Sequence, residues 1–90
     1  MSIDFAQMAE YLRQGREIEF VYGGREYSIT NRAGIWQLCD DTAHVQMEVL
    51  CRFEEKELLV KKVAAYSLAG VTIERIFDEG LYDAERLAVL

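Results

Sequence analysis

The side chains able to do catalytic or metal chemistry are few: one histidine, His44, and two cysteines, Cys39 and Cys51, among 90 residues. A neutral-pH general base is most readily a histidine, so His44 is the obvious candidate. Ser28, Ser67, Cys39 and Cys51 are available for it to activate, but no nucleophile motif surrounds any of them. His44 therefore reads as an ordinary surface or edge-strand residue, and no catalytic residue is expected. Cys39, Asp40, Asp41, His44 and Cys51 fall close together and are all metal-ligand types. A structural zinc site, however, uses four Cys/His ligands, usually with two in a C-x₂₋₄-C pair, and that spacing is absent. The sequence predicts no metal and no other cofactor, and both cysteines read as small buried hydrophobes.

Sixteen acids supply many paired carboxylates, but acid–base work needs one whose pKa is moved by burial. Alternation sends most of these acids outward. Gly23-Gly24-Arg25 is not a phosphate loop, since no Gly-Lys-Ser/Thr follows and the glycines lead into a strand pattern rather than a helix. The reading is of a non-enzyme.

Composition narrows the remaining classes. A formal charge of −6 and a pI near 4.7 disfavour direct binding of nucleic acid, which asks for a basic stripe. With 51% hydrophobic residues the chain can bury enough apolar surface to offset its ordering entropy. Its length suits one domain, residues 1–90. Met1-Ser2-Ile3-Asp4-Phe5 lacks the basic start and apolar run of a secretory signal, and no segment has the length of a membrane span. A cytoplasmic protein with reduced thiols is expected. The charge is spread evenly, with eight acids and five bases in residues 1–53 and the same numbers in 54–90.

Elements follow from periodicity. Residues 3–14 predict a helix, with Phe5, Met8, Ala9 and Leu12 on one face, Ser2 as N-cap and Gly15 as the left-handed stop. Glu17–Tyr22 and Arg25–Thr30 alternate around Gly23-Gly24, which suit a primed two-residue turn. That turn opposes Phe20 with Tyr27 and Ile18 with Ile29. Asn31-Arg32-Ala33-Gly34 reads as a four-residue turn, so a third strand over 35–39 would place Thr30 opposite Ile35, with Trp36 and Leu38 inward. Asp40-Asp41-Thr42 then breaks the strand. Residues 43–53 fit a strand or a helix, with a short strand at 44–49 preferred. From Glu54 a helix carries Leu58, Leu59, Val63 and Tyr66, and Thr72 caps a shorter one with Ile73, Ile76 and Phe77 inward and Gly80 as its stop. The tail 81–90 is apolar enough to pack. Phe5, Phe20, Tyr27, Trp36, Phe53, Tyr66 and Phe77 read as core, and Tyr11, Tyr22 and Tyr82 have weaker claims. The fold class is α+β: two layers, with an antiparallel three- or four-stranded meander between an N-terminal helix and C-terminal helices, α-β-β-β-(β)-α-α.

What remains for function is surface. Glu17, Glu19 and Glu26 share the outward face of the first hairpin, with no basic residue among its outward positions and Asp40 and Asp41 near one end. Such a face keeps a sheet soluble, or it meets a partner protein with a basic surface. Tyr22, beside the glycine turn, is a candidate contact residue. These six residues form the expected partner site. A non-catalytic interaction module, docking a protein through the sheet face or the C-terminal helices and able to form a homodimer, is the first reading. An acidic mimic of nucleic acid that inhibits a basic nucleic-acid-binding protein, such as a defence nuclease, is the alternative.

The run Gly15-Arg16-Glu17-Ile18-Glu19-Phe20, then Gly24-Arg25-Glu26-Tyr27-Ser28-Ile29-Thr30-Asn31, is similar to segments of a family of small uncharacterised proteins from Gram-positive bacteria and their phages. Trp36, Asp40-Asp41 and Ile76-Phe77-Asp78-Glu79-Gly80 extend the likeness over most of the chain. Its motifs are structural, so the resemblance implies no activity and assigns no functional residue. A phage origin would bring small acidic inhibitors of host defence, of the anti-CRISPR type, into consideration.

Overall fold

The computed structural model describes all 90 residues. Helix α1 (Phe5–Arg13) leads into four successive strands, β1 (Ile18–Tyr22), β2 (Arg25–Arg32), β3 (Ile35–Asp40) and β4 (Val45–Arg52). Helix α2 (Lys56–Ala65), a small hairpin of β5 (Ser67–Leu68) and β6 (Val71–Thr72), and helix α3 (Ile73–Asp78) follow. A 3-10 turn (Ala84–Arg86) then delivers β7 (Ala88–Val89) to the main sheet. That sheet has the order β4-β3-β2-β1-β7 and is antiparallel throughout.

Alternation explains the layers. Ile18, Phe20, Tyr27, Ile29, Trp36 and Leu38 are buried on one sheet face and join Met8, Leu12, Leu59, Val63, Ile76 and Phe77 from the helices in one core. The fold is the two-layer α+β arrangement expected, with a fifth strand from the packed tail. No helix is long and apolar enough to cross a membrane. The first hairpin has the expected register, Phe20 opposite Tyr27 and Ile18 opposite Ile29, and Gly23 and Gly24 both take positive φ as a primed turn demands.

Several local expectations need correction. Asp4, not Ser2, caps α1: its Oδ1 accepts from the Gln7 amide at 2.8 Å while Gln7 Oε1 accepts from the Asp4 amide at 2.9 Å. An acid three residues ahead of a glutamine closes this reciprocal box, which Ser2 is placed too early to make. The second turn holds two residues, not four. Ala33 and Gly34 both have positive φ, so Arg32 opposes Ile35, Asn31 opposes Trp36 and Ile29 opposes Leu38. Shifting the pairing by two residues keeps Trp36 and Leu38 inward, because side chains alternate with period two. Residues 45–52 form a strand longer than the one preferred, with register shifts opposite Trp36/Gln37 and Leu38/Cys39. Tyr82 is core, stacked on Phe77 with ring centroids 4.3 Å apart, whereas Phe53 and Tyr66 are half-buried at its margin.

Candidate functional site

The face opposite the helices carries no covering element, and its side chains can be read from the register. From β1 it presents Glu19 and Val21, with Glu17 just before them; from β2, Glu26, Ser28, Thr30 and Arg32. Ile35, Gln37 and Cys39 of β3 follow, then Val49 and Arg52 of β4, which oppose Gln37 and Ile35. Ile35 and Val49 are large apolar side chains left exposed on it, 39% and 53% respectively.

Four of the six expected residues meet here. Glu19 is exposed and takes part in no ion pair. Glu26 is held at 2.6 Å by Nη2 of Arg86, which the 3-10 turn swings over the sheet. Asp41 accepts from the Ser28 hydroxyl at 3.2 Å, which accounts for the burial of Ser28 at a position expected to face water. Glu17 is half-buried and accepts from the Asn31 amide at 2.9 Å. Glu19, Glu26, Asp41 and Arg86 rim a shallow recess of about 320 Å³ floored by Phe20, Val21 and Tyr27.

The other two stand elsewhere. Asp40 is a buried residue on the helix side of the sheet, its Oδ2 bound by Arg25 at 2.7 and 2.9 Å and its Oδ1 by the Ala43 amide at 3.0 Å. Burial pushes this carboxyl up, and the Ala43 amide and Arg25 guanidinium outweigh it, leaving it below the usual carboxylate range. Its oxygens are committed to shaping the turn after β3. Tyr22 alternates with Ile18 and Phe20, so it also projects to the helix side and is half-buried. Neither belongs to the open face.

Arginines that sequence reading left off the face lie on it. With β2 running to Arg32 and β4 to Arg52, both guanidiniums project outward at one end of the sheet, free of any ion pair. Continuing the alternation past Thr30 would have found Arg32. Arg86 arrives from the tail, a long-range placement with no local signal. Glu17, Glu19, Glu26 and Asp41 against Arg32, Arg52 and Arg86 leave the face at −1 of the chain's −6. The surplus negative charge therefore lies off the open face.

The residues with chemical potential are not assembled. His44 is exposed at the β3–β4 turn with φ +55°, and no group of three or more His, Cys, Asp or Glu side chains could hold a metal ion. Cys39 faces outward opposite Gln46, while Cys51 opposes the inward Trp36, so the sheet separates the thiols. Burial pushes both thiols up, with Asp41 adding to the effect at Cys39 and Glu55 at Cys51. Both are the opposite of an activated nucleophile.

Both sheet edges are partly occupied against a further strand. On β4 the Leu50 carbonyl accepts from Lys62 Nζ at 2.7 Å and the Arg52 amide donates to Glu55 Oε1 at 2.9 Å. The two register shifts also kink that edge. On the other side β7 covers Ile18 and Glu19, and the Asp83 amide caps the Val21 carbonyl at 2.9 Å. What the geometry offers a partner is the face, by side-chain contact. Comparison with protein-family models, with curated proteins and with solved structures returned no match.

Proposed function

We propose that this chain is a small non-catalytic interaction module that docks a protein partner on the open face of its sheet. The observation that carries the reading is an uncovered face bearing unpaired Arg32, Arg52 and Glu19 beside exposed Ile35 and Val49. A surface of matching charge and shape offsets the cost of desolvating such a mixture, and mismatched surfaces are rejected. The apolar stripes of α2 and α3 are less suited, because Leu59, Val63, Ile73, Ile76 and Phe77 are spent inside the core. An acidic mimic would need surplus negative charge concentrated on one face. With three arginines among four carboxylates, the open face supports a partner of mixed charge instead.

A photo-crosslinking residue at Val49, on the open face, should form a protein adduct at physiological salt. The same residue at Lys61, on exposed helix α2, should not. Adducts from Lys61 alone, or from neither position, would overturn the reading. Pairing Arg32→Glu with Arg52→Glu should abolish the Val49 adduct; an adduct that survives this pair and is lost with Glu17→Lys and Glu19→Lys together would instead mark mimicry.

A further inference from the structure

Resting on that reading of the face, we infer that its occupant is a second copy of this chain, docked face to face about a twofold axis. Charge is segregated along the strands. Arg32 and Arg52 mark one end, Glu19, Glu26 and Asp41 surround the recess towards the other with Arg86 bound to Glu26, and Glu17 stands in the row between. A twofold contact brings each end of one copy onto the opposite end of the other, so an uneven face complements itself.

The spacings agree. Strands stand about 4.8 Å apart and successive outward side chains about 6.8 Å apart along a strand. Arg32 and Arg52 are two strands apart in the same row, hence separated by about 10 Å. Glu19 and Asp41 are two strands and one row apart, or about 12 Å. An axis crossing the strands near Thr30 and Gln37 therefore sets Arg32 against Glu19 of the second copy, and Arg52 between its Glu26 and Asp41. The recess of about 320 Å³ then receives those guanidiniums. Arg86 already holds one oxygen of Glu26 there, so the incoming guanidiniums use Glu19, Asp41 and the other Glu26 oxygen. Thr30 and Gln37 adjoin the axis uncharged, and Glu17 of the same row faces Glu17 of the second copy there, a repulsion that weakens the contact.

The net charge does not forbid this, because the face holds only −1 of the −6 and the remaining repulsion acts at longer range, where salt screens it. The area sets the strength. A patch of about 20 by 15 Å, about 600 Å² over the two copies, falls below the size of standard specific interfaces, so only a weak, transient dimer is expected.

The test is sedimentation velocity of the full chain over about 5 to 500 µM, concentrations at which a weak dimer is populated. The intact protein should dimerise, at least about tenfold more weakly once salt shortens the Debye length from about 10 to 4 Å. Two variants reverse the ends: Arg32→Glu with Arg52→Glu, and Glu19→Arg with Asp41→Arg. Each alone should be monomeric, with circular dichroism confirming its fold, and an equimolar mixture should recover a heterodimer. An intact protein monomeric at the highest concentration would overturn the inference. So would a dimer indifferent to both reversals, or a mixture that stays monomeric. If a monomeric chain still gives a Val49 adduct with a different protein, the dimer fails and the docking face stands. If Val49 crosslinks nothing, the docking face fails too.

Discussion

Tyr82 joins the two ends of the described chain by a single hydroxyl, so Tyr82→Phe isolates one set of hydrogen bonds. The phenol oxygen accepts from the Ile3 amide at 2.6 Å and donates to the Ile3 carbonyl at 2.9 Å. Phenylalanine keeps the stack on Phe77 and nearly all of the buried area, and strands both polar groups of Ile3. A buried donor or acceptor left unsatisfied costs about 1–3 kcal/mol, and some rehydration is available so near the N-terminal residues, so the pair should cost about 2–3 kcal/mol. For a domain this small that is a fall in Tm of about 10–20 °C. Urea unfolding should show a lower midpoint with an unchanged slope. Hydrogen exchange should show the Ile3 amide losing protection even below the unfolding transition. A loss under about 0.5 kcal/mol would refute the reasoning, as would an Ile3 amide that stays protected.

Three further outcomes are expected. Ala33 and Ala69 are exposed and hold φ of +52° and +51° ahead of Gly34 and Gly70, so Ala33→Asn and Ala69→Asn should each stabilise the protein by about 0.5–1 kcal/mol in urea unfolding; loss of stability would show that the alanines are not strained. Asp40, Glu57 and Glu79 titrate below the usual carboxylate range: at Asp40 burial opposes its hydrogen bonds and loses, while Arg13 bonds Glu57 and Arg75 bonds Glu79. Their contribution is complete above about pH 4–5 and is lost as pH falls through the folded values, so Asp40→Asn should flatten the decline of Tm in acid, and parallel curves would exclude the linkage. Non-reducing thiol titration should count two free thiols, both alkylated more slowly than free cysteine at pH 7.5; fast modification of either would contradict the burial argument.

How far the structure was legible in the sequence depended on whether period and turn chemistry agreed. In the first hairpin Gly23-Gly24 and two alternating runs point to one register, and that register forms. In the second, Ala33 occupies a left-handed position that alanine seldom takes, so Asn31-Arg32-Ala33-Gly34 reads as a longer turn than the two residues used. Around Val45–Arg52 the two register shifts break alternation: Leu50 is buried and the next residue, Cys51, also opposes the inward Trp36. That mixed pattern is why the segment fitted two periods. Strand β7 has only two residues, and such short pairing is decided by tertiary packing rather than propensity.

The same distinction governs the candidate site, and it explains why the carboxylates were easier to find than the arginines. Glu17, Glu19 and Glu26 sit beside an unambiguous turn, so their face follows from counting. Arg32 and Arg52 lie beyond the places where counting slips, at a miscounted turn and on a bulged strand. Arg86 depends on where a tail lands. Charge balance on a sheet face is thus a property of register. A face read as purely acidic becomes nearly neutral and divided once each strand is carried to its true end. Lys62 and Glu55 occupy part of the β4 edge, and β7 and Asp83 cover part of β1, which disfavours backbone pairing as an interface. On the proposed reading, specificity comes from the side chains of the open face, where exchanging the acidic and basic ends between two copies tests it directly.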